Sequence, residues 1–101
     1  MTTQNTTIAE TILHQLGGRR FIVMTGSKNF IAGKNSLSMK IPRNKSGANY
    51  LRITLTSMDD YTMEFISIRG TEMKTKKTSE GVYCDQLQDL FTYHTGLYTQ
   101  L

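Results

Sequence analysis

The chain reads as one α+β domain, a four- to five-stranded antiparallel β-meander with an N-terminal and a C-terminal helix packed on one face. Three observations predict this. Apolar residues recur at helical spacing near both ends. They alternate with a period of two through the middle. Glycine, proline or paired aspartates fall where the pattern changes. A chain of 101 residues supports one modest core, and helices that bracket a run of strands pack together on that sheet.

Residues 1–6 are polar and are expected to fray ahead of a single domain spanning 7–101. Thr7-Ile8-Ala9-Glu10 has the form of a capping box, with a hydroxyl for an orphan amide and a Glu three residues on. Ile8, Ile12, Leu13 and Leu16 give that helix an apolar face, and Gly17-Gly18 stops it. Arg20 to Thr25, rich in β-branched and aromatic residues, is expected as a first strand, and 26–35 as a loop. A second strand, Ser36 to Ile41, sets Leu37, Met39 and Ile41 against Ser36, Ser38 and Lys40. Pro42 closes it because proline has no amide for the ladder. After a basic turn at 43–47, a third strand from Asn49 to Ser57 alternates Leu51, Ile53 and Leu55 with Tyr50, Arg52, Thr54 and Thr56.

Asp59-Asp60 turns the chain into a fourth strand, Tyr61 to Arg69, which Gly70 breaks. Met73 to Lys77 is a polar fifth strand suited to an edge, where lysines deter pairing with other chains. Ser79 is placed to cap a second helix, with Glu80 suited to its dipole. Tyr83, Leu87, Leu90, Phe91 and His94 share its apolar face, and Gly96 ends it. The core expected from these patterns is Ile8, Ile12, Leu16, Leu37, Met39, Ile41, Leu51, Ile53, Leu55, Leu87, Leu90 and Phe91.

The first and fourth strands carry apolar residues on both faces: Phe21 and Val23 against Ile22 and Met24, then Met63 and Phe65 against Ile66 and Ile68. A sheet with one face in water needs only one. Either a bulge or a locally curled sheet shifts the register, or a second copy or another partner covers the open face; a second copy would make a homodimer over Ile22, Met24 and either Ile66 or Met63.

Charge is segregated. All 12 Lys and Arg lie between Arg19 and Lys77, interrupted by Asp59, Asp60, Glu64 and Glu72, whereas Glu80, Asp85 and Asp89 follow with no base. The formal net charge of +4 and the pI of 9.4 average these regions. Such a layout suggests a surface for an anionic partner, nucleic acid or an acidic protein. Lys40 and Arg52 are expected on the open sheet face from adjacent strands, beside Tyr50, which can stack a base. Arg43 and Lys45 project from the turn, and Lys74 and Lys76, or Lys77 with the opposite parity, add to an edge. Asp85 and Asp89 form an acidic helix face able to mimic phosphates.

Catalytic chemistry has no comparable pattern. Thr25-Gly26-Ser27-Lys28 resembles a phosphate cradle only faintly, because such a loop must feed a helix and this one feeds a strand. His14 and His94 lack ligand-type neighbours at metal spacing. Cys84 is expected mid-helix as a small, partly buried hydrophobe, and Asp59-Asp60 suits a turn for backbone reasons. We therefore expect no enzyme, no metal and no cofactor. A single cysteine, no apolar run of about 20 residues and a polar N-terminus point to a cytoplasmic protein with no membrane partner.

The segments Leu16-Gly17-Gly18-Arg19-Arg20-Phe21, Met24-Thr25-Gly26-Ser27-Lys28-Asn29-Phe30 and Asn35-Ser36-Leu37-Ser38 together resemble a family of small phage and mobile-element proteins. The likeness extends through Ile53-Thr54-Leu55, Asp60-Tyr61-Thr62, Phe65, Arg69-Gly70, Gly81-Val82-Tyr83 and Thr95-Gly96-Leu97. It implies a setting, the cytoplasm of a host cell, and not a mechanism; small non-enzymatic proteins of that setting often act by binding, blocking a host defence complex or handling nucleic acid. The leading expectation is an inhibitor of a host defence complex, anti-CRISPR-like. The alternative is a nucleic-acid-binding accessory protein that uses the basic sheet face and the 42–47 turn.

Overall fold

The computed structural model describes residues 3–99, with side chains from Thr7 onward. Helices α1 (Thr3–Leu16) and α2 (Arg19–Thr25) precede five strands: β1 (Lys28–Ala32), β2 (Ser36–Lys40), β3 (Tyr50–Leu55), β4 (Tyr61–Arg69) and β5 (Glu72–Val82). A single 3₁₀ turn, Cys84–Gln86, leads into α3 (Leu87–Thr95). The sheet order is β1-β2-β3-β4-β5 and each neighbouring pair is antiparallel. The expected α+β meander is therefore present, with five strands and its terminal helices packed near the sheet. No helix among the described residues is long and apolar enough to cross a membrane.

The β2–β3–β4 register follows the sequence alternation. Leu37, Ile53 and Met63 lie side by side, as do Met39, Leu51 and Phe65, and all are buried. α1 packs on β1 and β2 and meets α3, adding Ile12 and Leu16 to that core. Of the expected core residues, Ile8, Leu55 and Leu90 are half-buried at its margin and the others are buried.

Residues 20–25 are not a strand. They form α2, whose buried residues are Phe21 and Thr25, one turn apart, while Val23 is 73% exposed. Three glycines bracket this short helix, Gly17 (φ 126°) and Gly18 (φ 62°) before it and Gly26 (φ 72°) after it. Phe21 then meets Phe91 of α3 edge-on, with 5.0 Å between ring centroids. Burying that ring outweighs the β propensity of Ile22 and Val23, which spans only about 1 kcal/mol. The expected loop 26–35 contains β1, an edge strand with one half-buried residue, Phe30, and so no alternation to read.

Two further boundaries move. α1 begins before Thr7, which therefore lies inside the helix rather than at a cap; residues 1 and 2 of the expected frayed segment lie outside the described residues. β5 continues through Ser79 and Glu80, so both lie in a strand, Ser79 opposite Met63 of β4, instead of capping a helix. Tyr83 and Cys84 consequently sit exposed between β5 and α3, not on a helix face.

The doubly apolar strands have separate explanations. The first is a helix. In the fourth, Met63 is in the core, and Ile66 is 2% exposed on the opposite side within this one chain. A bulge does occur beside Ile66, but in β5: Phe65 pairs with Lys77 and Ile66 with Thr75, leaving Lys76 between them. Neither Ile66 nor Met63 requires a second copy to cover it.

Candidate functional site

Chain parity fixes where the basic residues go. Phe65, Ser67 and Arg69 alternate on the helix-packed face of β4, with Ile66 and Ile68 on the other. α3 ends at Thr95, and the segment between β2 and β3 takes over beyond it, joined to it by the Lys45 amide donating to the Thr95 carbonyl at 3.2 Å. That segment arches over the end of β4 and β5. Two adjoining hollows of about 430 and 260 Å³ run beneath it and share Ser67 and Arg69. Arg43 lines the first; Lys74, Lys76 and Glu72 line the second. Their common floor, Ser67, is 7% exposed, and its hydroxyl has no hydrogen-bond partner among the described residues.

The arch is held by its own polar side chains. Asn44 donates to the carbonyls of Pro42 (2.7 Å) and Ala48 (2.8 Å) and accepts from the Ser46 amide (3.0 Å) and hydroxyl. Asn49 acts as an extra strand residue: its side chain donates to the Ile68 carbonyl and accepts from the Ile68 amide, each at 2.8 Å. Ala48 between them is buried in the core. Both asparagines are thus spent on structure, and Arg43, Arg69, Lys74 and Lys76 remain for a ligand. The only ion pair among the described residues lies elsewhere, between Arg52 and Glu64 at 3.7 Å. Four exposed bases stand against one acid here, over a polar floor and under a preformed arch, so the cleft carries a local excess of positive charge.

The residues singled out in the sequence are divided by the fold. Lys40 and Tyr50 are direct cross-strand partners, and Arg52 faces Ser38 and Glu64, so all three share the open sheet face as expected. That face is weaker than anticipated, because Glu64 offsets Arg52 and Tyr50 is half-buried. Arg43 joins the cleft on the other side of the sheet. Lys45 lies along the end of α3, its ammonium 5.9 Å from the Tyr93 ring centroid. Asp89 is exposed on α3, and Asp85 is exposed in the preceding 3₁₀ turn rather than on the helix. Arg69 and Ser67 were missed because β4 parity assigns them to the core side, and only the end of α3 reveals that the core stops short of them. The choice between Lys76 and Lys77 parity is removed by the bulge: Lys76 lines the cleft, and Lys77 pairs with Phe65 near His94.

His94 borders this region. Its Nε2 is 2.9 Å from the Ser79 hydroxyl, and its ring packs 5.0 Å from Phe65 and 5.2 Å from Tyr93. Burial, then the charges of Lys77 and Lys45, hold its pKa below the ordinary value. No group of three or more His, Cys, Asp or Glu among the described residues is placed to hold a metal.

Fold and site together define a small α+β scaffold carrying a preformed basic cleft. Against protein-family models, curated proteins and solved structures, the chain has no match.

Proposed function

We propose that the protein is a non-enzymatic binder of nucleic acid that grips the sugar-phosphate backbone in the cleft formed by Arg43, Arg69, Lys74 and Lys76. The observation that carries this reading is the convergence, under an arch already locked by Asn44 and Asn49, of four bases that make no ion pair among the described residues. A preformed arch spares the entropy of ordering a loop on binding. Phosphate oxygens suit both the basic side chains and the Ser67 hydroxyl at the floor.

The test is fluorescence anisotropy with labelled single- and double-stranded oligonucleotides near 150 mM salt. Micromolar or tighter binding is expected, with at least a tenfold loss in an Arg69→Glu/Lys74→Glu double variant whose thermal melt matches wild type. Affinity weaker than about 10⁻⁴ M would be below ordinary non-specific binding and would overturn the reading.

A second reading follows from the acidic end of the molecule. Asp85 and Asp89 are exposed and make no ion pair among the described residues. In a phage setting, within a host cytoplasm, they would present a phosphate-like pair to a nuclease of a host defence complex and block it stoichiometrically. An Asp85→Lys/Asp89→Lys variant would then lose the inhibition that wild type shows in a defence-interference assay, and wild type without inhibition would remove this reading.

A further inference from the structure

Resting on the nucleic-acid reading, we propose that the ligand is single-stranded and that Tyr93 and Tyr98 are the platforms on which its unpaired bases stack. Both rings lie open, at 70% and 69% exposure, and both line one groove of about 360 Å³ between α3 and the segment after it. The groove is anchored. The Thr99 hydroxyl donates to Gln88 Oε1 at 2.8 Å, and Gln88 in turn donates to the Gln15 carbonyl of α1 at 3.2 Å. Two large aromatic rings stand open on a tied-down scaffold: Tyr93 touches His94 edge-on and the Lys45 ammonium, and most of each ring's surface stays exposed for a flat apolar ligand.

Lys45 joins this groove to the basic cleft. It belongs to the arch that carries Arg43, two residues away, so the two backbones are within about 7 Å. Its stem lies against Gly96, with Cδ only 3.4 Å from where a Cβ would sit on that glycine, and its ammonium reaches the Tyr93 ring. Along α3 the order is therefore Asp89, Tyr93, then the Lys45 contact at the helix end. Asp89 repels phosphate from the tyrosine groove, and the bases at the helix end attract it. A strand whose backbone follows the arch would turn its bases, not its phosphates, toward the rings. Only unpaired bases offer their faces in this way. In a duplex they are stacked on each other, so the rings would gain nothing from it.

The chain has no tryptophan, so stacking can be read directly as quenching of tyrosine fluorescence. Wild type is titrated with oligo-dT, with a duplex of equal length and with inorganic polyphosphate as a charge-only probe. Oligo-dT should bind at least tenfold more tightly than duplex and quench the signal. Tyr93→Ala should weaken oligo-dT by about five- to a hundredfold while leaving polyphosphate affinity unchanged, and Tyr93→Phe should restore it to within about threefold of wild type. Because the ring is exposed, these variants are expected to fold, and matching thermal melts check this. Equal affinity for duplex and oligo-dT, or a Tyr93→Ala protein that binds oligo-dT like wild type, would overturn the stacking proposal while leaving the cleft in place. Failure to bind any of the three probes would remove the cleft reading itself. A Tyr93→Ala protein that keeps oligo-dT binding but loses a protein partner would reassign the groove to protein recognition.

Discussion

His94 is the residue at which packing, charge and pH meet. Its ring is wedged between Phe65 and Tyr93, its Nε2 lies beside Ser79, and Lys77 and Lys45 are the charges near it. In the unfolded chain a histidine titrates near its ordinary value of 6.5, whereas here burial and the two lysines disfavour the protonated form. Between the two pKa values the unfolded chain binds more protons than the folded one. Stability from this group is thus full above pH 6.5 and is lost as pH falls toward the lower folded value. The expected outcome is a melting temperature that drops between pH 7.5 and 5.5, with a smaller drop in His94→Gln. An identical pH dependence in both proteins would show that His94 titrates equally in the two states. The sequence placed this histidine correctly in the last turn of α3. Its lysine neighbours come from the arch and from β5, and no local spacing announces them.

At the scale of the element, α2 is where local preference and final structure part. The run Arg20 to Thr25 has strand composition, but seven residues between positive-φ glycines leave room for two helical turns that insert one ring. Sequence parity treats Phe21 and Val23 as equivalent neighbours on one strand face, and the helix separates them completely. Phe21→Ala should therefore cost about 3–5 kcal/mol, as for a fully buried ring, while Val23→Lys should stay within about 0.5 kcal/mol of wild type. Urea denaturation of both variants decides the matter, since comparable losses would restore the strand. By contrast β2, β3 and β4 were legible because half-burial imposes alternation on them, as Leu37, Met39, Leu51 and Ile53 illustrate. β1 was not, and β5 was legible as a polar edge strand over Met73 to Lys77 but not in its continuation to Val82. Both are edges, solvated on most sides, so solvent places no periodic demand on their residues.

For the molecule as a whole, the question is which side of the sheet carries the basic function. The charge segregation is plain in the sequence, which spreads the basic function over the open face, through Lys40, Tyr50 and Arg52, and over the turn that carries Arg43 and Lys45. A count of bases along the chain does not include their partners across the sheet. Glu64 cancels Arg52 across β3 and β4, whereas the far ends of β4 and β5, beyond the reach of α3, gather Arg69, Lys74 and Lys76 under Arg43. The two faces make different predictions for salt dependence. Each neutralised phosphate of a single strand contributes about −0.7 to the slope of log K against log salt, so four cleft bases should give a slope near −3. Lys74→Ala should reduce its magnitude by about 0.7, and Glu72→Gln should tighten binding at low salt by removing the acid in the cleft. Lys40→Ala and Arg52→Ala should leave the slope unchanged, because those side chains lie across the sheet from the arch. Anisotropy titrations from 50 to 300 mM salt test all four variants. If Lys40→Ala flattens the slope and Lys74→Ala does not, the nucleic acid lies on the open face, and the cleft is only a consequence of where α3 ends.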